Sequence, residues 1–135
     1  GPLPEGERGT VVFTGYRADL PTVYAALDVA VLASRSEGIA NAQMEAMAAG
    51  VPLVTTPVGL AAEAMKAGQD YVEVERADPE LLAKAIAEAL KPERAGRLRE
   101  AGRKAIQAFS IETQVKNLEA LYLELAAKHW LGTGA

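Results

Sequence analysis

Cysteine is absent from the 135-residue sequence, and His129 is the only histidine. The lack of thiols excludes disulfides, thiol catalysis and thiolate metal sites, and it fits a reducing, cytoplasmic compartment. No apolar run approaches the ~20 residues that a membrane-spanning helix needs, and we find no signal-peptide pattern. His129 lies near one end and no cluster of histidines and carboxylates accompanies it. We therefore expect neither a catalytic histidine nor a metal site.

Basic patches are also missing, and the net charge is −4. Binding to a phosphate backbone usually requires a concentrated basic face, so we expect no nucleic-acid partner. Hydrophobic residues make up 50% of the chain and charged residues 24%, which is typical of one soluble globular domain. Aromatic residues are few (5%), so the core must consist largely of Ala, Leu and Val. Residues 1–3 have the composition of a tag remnant and are left out of the fold prediction.

Four short apolar runs are spaced along the first half of the chain as strands are spaced in α/β proteins. The runs at 29–33 and 52–55 are apolar almost throughout, which is typical of strands covered on both faces. Segments with helical periodicity separate the runs, and this alternation predicts a three-layer, Rossmann-like parallel sheet with helices on both faces. The four predicted strands are residues 11–14, 29–33, 52–55 and 71–74.

Three helices are predicted between these strands. Asp19 can cap the first, and Gly50 supplies the left-handed residue that ends the second. Gly68 is expected to end the third. The predicted helices cover about residues 19–27, 41–49 and 60–67.

From residue 78 onward the chain is predicted to be helical. Asp78-Pro79 is a helix start signal, Pro92 ends that helix, and Ser110 caps the last one. The last helix carries an apolar seam, which we expect to dock on the chain's own sheet or on a neighbouring domain; a short coiled-coil face is the alternative. The seam consists of Ile111, Val115, Leu118, Tyr122 and Leu125.

The turn after the second predicted strand is the main candidate for a ligand site, because ligands of parallel α/β sheets bind outside the carboxyl ends of strands. It is polar, contains Gly38 and leads into a helix whose N-terminal N–H groups suit a phosphate or sugar hydroxyls. Glu37 and Glu45 can accept hydrogen bonds from the paired hydroxyls of a ribose or hexose. Plainer interpretations exist: both carboxylates can be solvated helix residues, and Asn41 can be a helix cap.

Other classes of α/β protein fit less well. A dinucleotide-binding domain requires G-x-G-x-x-G after its first strand, whereas this chain has Gly15-Tyr16-Arg17-Ala18-Asp19 there. A phospho-acceptor receiver domain needs an aspartate at a strand end with acidic neighbours, and none of the four predicted strands ends that way. The alternative that stays open is a non-catalytic binding or interaction module that uses the last amphipathic helix.

Residues 34–54, SRSEGIANAQMEAMAAGVPLV, resemble the donor-site signature of the family-4 retaining glycosyltransferases of GT-B fold. That signature has two glutamates separated by seven residues, in a Ser-Glu-Gly turn and a Glu-Ala-Met helix followed by Gly-x-Pro. Glu37 and Glu45 have this spacing. Similar blocks flank it in the family's order over about residues 11–125: Phe13-Thr14-Gly15, Asp19-Leu20-Pro21 with Tyr24, Thr56-Pro57-Val58-Gly59 with Glu63, Asp78-Pro79 and Phe109-Ser110.

The resemblance implies retaining transfer of a hexose or related sugar from a UDP- or GDP-sugar, which is a substrate, so no cofactor is expected. Glu37 would be the catalytic residue that contacts hydroxyls of the transferred sugar, and Glu45 would bind the ribose. Residues 1–135 would form a partial donor-binding domain with a β/α core at about 10–76 and C-terminal helices at about 78–131. The implied donor-binding residues are Glu37, Gly38, Ile39, Ala40, Asn41 and Glu45.

The resemblance also implies partners that this chain lacks, namely the N-terminal acceptor domain and the first two strands of the donor domain. In the order 3-2-1-4-5-6 those strands would lie between the strands at 11–14 and 29–33. Their absence would expose a strand edge, so we expect either direct pairing of these two strands or a homodimer through the edge. We expect no transferase activity from this chain alone, because catalysis needs groups of both domains. A full-length parent is expected to be cytoplasmic or peripheral at the inner membrane face.

Overall fold

The computed structural model describes residues 9–131, so the predicted tag remnant at 1–3 lies outside the described residues. Three strands, six α-helices and one 3-10 helix form this part of the chain. In chain order the elements are α1 (Leu20–Ala25), β1 (Ala30–Leu32), α2 (Asn41–Ala49), β2 (Leu53–Thr55), α3 (Gly59–Ala64), β3 (Val72–Glu73), α4 (Pro79–Ala89), α5 (Pro92–Ile106), the 3-10 helix Gln107–Phe109, and α6 (Ile111–Leu131).

The strands form one parallel sheet in the order β1-β2-β3, and this confirms the predicted α/β fold with a parallel sheet and a helical C-terminal segment. Ala30 pairs with Leu53 and Leu32 with Thr55, while Val54 pairs with Val72 on the other side of β2. The strand order follows the chain order, so each helix between two strands is a crossover connection. All three carboxyl ends therefore lie along one edge of the sheet.

Helices cover both faces of the sheet, and alternate residues of β2 pack against them because successive side chains of a strand point to opposite faces. Leu53 packs with Met47 of α2, Ala61 of α3 and Tyr71 on one face. Val54 packs with Leu98 of α5 and with alanines of α4 on the other. Both Leu53 and Val54 are almost completely buried, which explains why the 52–55 run is apolar on both sides.

The predicted strand at 11–14 is wrong. These residues adopt no strand, and Phe13 is 95% exposed. A strand is stabilised by hydrogen bonds to a neighbour, and residues 11–14 pair with no strand of the described chain. Direct pairing of residues 11–14 with β1 therefore does not occur, and the outer edge of β1 has no partner strand among residues 9–131. The alternative expectation, a homodimer through this edge, stays a prediction.

The helix signals of the sequence are mostly confirmed. Gly50 ends α2 in the left-handed conformation (φ 71°, ψ 38°), and the carboxylate of Asp78 accepts a hydrogen bond from the N–H of Leu81 at 3.1 Å. Ser110 Oγ likewise accepts from the N–H of Thr113. Asp19 stands at the start of α1, but its carboxylate bonds Arg17 instead of the helix backbone.

Two helix predictions require correction. The sequence predicts a third helix that reaches residue 67, but α3 ends at Ala64 because Met65 takes an extended conformation. The carboxylate of Asp70 then accepts from the N–H of Lys66, which replaces a further helical turn by a loop. The apolar seam of α6 does not dock on the chain's own sheet: its five residues remain exposed in the described structure.

Candidate functional site

The candidate site lies where the carboxyl ends of β1 and β2 lead into α2 and α3. The loop at 33–40 follows β1 and the loop at 56–58 follows β2. Glu37, Gly38 and Ile39 are exposed on the first loop, whereas Ala40 is buried beneath it. The sequence-predicted residues of the turn are thus brought to the sheet edge at which ligands of parallel α/β sheets bind.

Hydrogen bonds tie the two loops together. The N–H of Thr56 donates to the carbonyl of Leu32 at 3.1 Å, and Thr56 Oγ1 donates to the carbonyl of Ser34 at 2.6 Å. Ser34 Oγ in turn donates to Oε1 of Glu37 at 2.6 Å. The Glu37 carboxylate is therefore oriented by its own loop, and its Oε2 has no hydrogen-bond donor among residues 9–131.

Gly59 brings the second loop into contact with the first. Its φ is +56°, and a Cβ added there would lie 3.1 Å from both the carbonyl oxygen of Gly38 and the nitrogen of Ala40. Only glycine takes this left-handed conformation without strain and leaves room for the neighbouring backbone. The start of α3 consequently packs directly against the turn that carries Glu37.

The N-terminus of α2 offers unsatisfied backbone donors at this edge. Ala40 occupies the cap position and has no side chain that could bond the helix. The interpretation of Asn41 as the cap is therefore wrong: Asn41 is the first helical residue, and its side chain is exposed. The N–H groups of Asn41 and Ala42 find no acceptor among the described residues. Such a helix start favours an anion or a hydroxyl oxygen.

Glu45 lies in the middle of α2 and is held from α1. The hydroxyl of Tyr24 donates to Oε2 of Glu45 at 3.0 Å. Burial, and then the hydrogen bond and negative charge of Glu45, raise the pKa of Tyr24 to about 12. The tyrosine therefore stays a neutral donor at ordinary pH. Oε1 of Glu45 has no donor within the described chain and is open to a ligand hydroxyl.

Gln43 is a residue of this region that the sequence prediction missed. Its side chain is 1% exposed, and its amide bonds Thr55, Val58 and Ala61. The sequence did contain a signal, because Gln43 is the one polar residue on the helix face that also carries Ala46, Met47 and Gly50. A polar residue in such a buried stripe normally has specific hydrogen-bond partners.

Other chemistries find no site in the described part of the chain. Within residues 9–131 no three histidine, cysteine, aspartate or glutamate side chains are grouped so that they could hold a metal ion. His129 lies on α6 and not on the loops that carry Glu37 and Glu45. None of the helices described is long and apolar enough to cross a membrane.

Comparison with known proteins places this chain in a family. The family model described as "Glycosyl transferases group 1" matches residues 3–92. The lipopolysaccharide core biosynthesis mannosyltransferase LpsB of Rhizobium meliloti is 32% identical over 119 residues, which cover 85% of this chain and 34% of the relative. The mannosylfructose-phosphate synthase of Agrobacterium fabrum is 38% identical over 100 residues, which cover 72% of this chain and 22% of the relative.

A solved structure agrees with the sequence relatives. The sucrose-phosphate synthase of Thermosynechococcus elongatus superimposes with a TM-score of 0.69 at 32% identity, over 78% of this chain and 27% of that one. The chain thus spans between about a fifth and a third of the length of these proteins. It belongs to the group 1 glycosyl transferases and corresponds to part of the C-terminal domain of the GT-B enzymes among them.

Proposed function

We propose that this chain carries the donor side of a retaining glycosyltransferase and binds the nucleotide sugar at the carboxyl edge of its sheet. Glu37 is the proposed catalytic residue and contacts hydroxyls of the transferred sugar, while Glu45 binds the ribose. The backbone of Gly38, Ile39 and Ala40, with Asn41 beside it, holds the sugar and the pyrophosphate.

The observation that carries this proposal is the placement of complementary donors and acceptors along the loop at 33–40 and the helix α2 that follows it. Glu37 and Glu45 each keep one carboxylate oxygen without a donor among the described residues. The uncapped start of α2, which lies between them in the chain, supplies free N–H groups. A nucleotide sugar presents hydroxyl pairs on both sides of an anionic pyrophosphate, so its chemistry matches the order acceptor, donor, acceptor.

The proposal can be tested by nuclear magnetic resonance on the ¹⁵N-labelled chain. Titration with UDP-glucose and GDP-mannose should shift the amide signals of residues 37–42 with one of the two donors. Names of two relatives refer to mannose, so GDP-mannose is the first probe. Unchanged signals at residues 37–42 with both donors at millimolar concentration would contradict the proposal.

Substitutions connect the binding to the carboxylates. Glu37→Gln and Glu45→Gln should each weaken donor binding about tenfold or more, because a hydrogen bond to a charged group contributes roughly 1.5–3 kcal/mol. Glu119→Gln is the matched control, since Glu119 is exposed on α6. Equal affinity in all three variants would show that the donor binds elsewhere.

We further propose that this chain alone transfers no sugar. Catalysis requires the acceptor and the reacting groups in one geometry, and the matching part of this chain covers only 34% and 22% of the two sequence relatives. Incubation of the purified chain with donor and simple sugar acceptors should release no nucleoside diphosphate above the rate in buffer. Turnover above that rate would refute this part of the proposal.

The surface of α6 favours a second candidate, a non-catalytic interaction module. Ile111 is 79% exposed, and Leu118, Tyr122 and Leu125 continue an apolar surface along the helix. Exposed apolar surface of this extent often marks a contact with another protein or domain. If this were the chain's sole function, nucleotide sugars would leave every amide signal unchanged, so the same titration separates the two candidates.

A further inference from the structure

The buried side-chain amide of Gln43 makes three hydrogen bonds near the candidate site. Its Nε2 donates to Thr55 Oγ1 and to the carbonyl of Val58, both at 3.0 Å. Its Oε1 accepts from the N–H of Ala61 at 3.2 Å. If the amide were flipped, its oxygen would face the carbonyl oxygen of Val58 and its NH₂ group would face the N–H of Ala61. Neither pair can form a hydrogen bond, so the surrounding backbone fixes the orientation of the amide.

Through these bonds a residue of α2 caps α3. Val58 stands at the cap position of α3 and has no polar side chain. The Oε1 of Gln43 instead accepts from Ala61, the third residue of α3, which is the bond that a serine or asparagine cap would make. Because the cap comes from the neighbouring helix, the starts of α2 and α3 cannot move independently of each other.

The same network continues to the Glu37 carboxylate. Thr55 Oγ1 donates to the carbonyl of Thr56 at 3.0 Å, and Thr56 Oγ1 donates to the carbonyl of Ser34. Ser34 Oγ then donates to Glu37. The chain of contacts therefore runs from an inaccessible amide to an exposed carboxylate at the ligand edge. The bonds of Gln43 and Thr55 are buried, the Thr56–Ser34 bond is part-buried and the Ser34–Glu37 bond is exposed. Satisfied hydrogen bonds in a buried network rigidify the groups that they join.

We propose that Gln43 is a positioning residue for the donor site: it holds the loops at 33–40 and 56–58 in one arrangement, so that Glu37 and the free N–H groups of α2 are set before the donor binds. This inference rests on the donor-binding function proposed above. Gln43 is too deeply buried to touch a ligand, so its effect is exerted through Ser34, Thr56 and α3. Preorganised groups bind more tightly because less order must be created on binding.

A merely structural role for Gln43 makes different predictions. If the role is only structural, a substitution of Gln43 lowers the stability of the fold, and it disorders the loop at 33–40 no more than another core substitution does. Leu98→Ala provides the comparison, because Leu98 is equally buried but packs with α4 on the opposite face of the sheet. Gln43→Met removes the hydrogen bonds and keeps an unbranched side chain of similar length.

The test measures backbone order and donor affinity in the wild type, Gln43→Met and Leu98→Ala. Without any nucleotide sugar, heteronuclear ¹⁵N relaxation should show new motion at residues 34–40 in Gln43→Met and none in Leu98→Ala. The affinity for UDP-glucose or GDP-mannose, whichever shifts the wild type, should fall about tenfold or more in Gln43→Met and remain unchanged in Leu98→Ala. Loops that stay as ordered in Gln43→Met as in the wild type would overturn the inference, as would an equal loss in both variants.

The inference can be tested even if no donor binds or if Gln43→Met does not fold. If neither donor shifts the wild-type chain, the donor-binding proposal fails, while the relaxation comparison still decides whether Gln43 orders the loops. If Gln43→Met does not fold, hydrogen exchange of the wild type decides. The side-chain protons of Gln43 should then exchange roughly a hundredfold more slowly than those of the exposed Gln69, Gln107 and Gln114. Equal exchange rates would overturn the inference.

Discussion

Gly59→Ala is the substitution for which the structure gives the sharpest expectation. Gly59 is the first residue of α3 and has a φ of +56°, which disfavours every residue with a Cβ. The new methyl group would lie 3.1 Å from the carbonyl oxygen of Gly38 and from the nitrogen of Ala40, and 3.3 Å from the Ala40 Cβ. Two of these three neighbours are backbone atoms, so no side-chain rotation can relieve the contact.

The expected cost has two parts. The left-handed conformation costs an alanine about 1–2 kcal/mol relative to glycine. Insertion of a methyl group into a closely packed contact costs roughly a further 1–3 kcal/mol. We therefore expect Gly59→Ala to lower the free energy of unfolding by about 2–5 kcal/mol, a large fraction of the stability of a small domain. The loop at 33–40 must also shift, so donor affinity should fall.

Urea unfolding followed by circular dichroism measures this change. The midpoint should fall while the slope stays constant, because the surface exposed on unfolding is nearly the same. Gly96→Ala is the matched control: Gly96 lies inside α5, where an added Cβ meets nothing within 4 Å. Since alanine is favoured over glycine in a helix by about 0.5–1 kcal/mol, this control should raise the midpoint. The reasoning would be refuted if Gly59→Ala and Gly96→Ala shifted the urea midpoint in the same direction.

Three further predictions concern other parts of the chain. Leu98→Ala should lower the free energy of unfolding by about 2–5 kcal/mol in the same urea assay, because it leaves a cavity between the sheet and α4. The pKa of Tyr24 is raised to about 12, so the stability associated with neutral Tyr24 is fully present below pH ~10 and is lost as the pH rises through ~12. Glu45→Gln should lower this pKa only part of the way to 10, because burial is the larger cause of the shift. The ¹³Cζ chemical shift of Tyr24 measures the pKa. The hydrogen bond from the Leu81 N–H, with Arg76 nearby, lowers the pKa of Asp78. The contribution of the Asp78 carboxylate to stability is therefore present above the ordinary carboxyl pKa and is lost as the pH falls through the lower pKa of the folded state. Urea midpoints should consequently fall less steeply between pH 7 and pH 3 in Asp78→Asn than in the wild type.

Local signals in the sequence were sufficient for most of the fold. The strands at 29–33, 52–55 and 71–74 form within their predicted bounds, because continuous apolar runs between helical segments are typical of buried parallel strands. Gly50 and Asp78 act at the helix ends as predicted, because each acts through bonds to residues a few positions away. The strand at 11–14 depended instead on a neighbour, and local composition cannot supply one.

The candidate site was predictable in its exposed residues and not in its supports. Glu37 and Gly38 could be located from the turn and the helix that follows it. Three contacts could not be located in this way: Gln43 with Thr55, Gln43 with Ala61, and Tyr24 with Glu45. They join residues that are 12 to 21 positions apart in the chain. Such contacts depend on how crossovers bring separate elements together. The place of Gln43 on an otherwise apolar helix face was the only local sign in the sequence that a network existed there.

The distribution of satisfied and unsatisfied groups supports the proposal that this chain binds a donor but transfers no sugar. The ligand edge is held by bonds within residues 24–61, which include the Tyr24–Glu45 pair, the Gln43 network and the Gly59 contact. These bonds need no group from outside the described chain, so the proposed donor-binding geometry should persist when the chain is studied alone. The outer edge of β1 and the apolar surface of α6, in contrast, find no partner within residues 9–131. A further domain that contacts the β1 edge or α6 would therefore meet a donor site that is already ordered. The chain by itself should bind a donor without transferring its sugar.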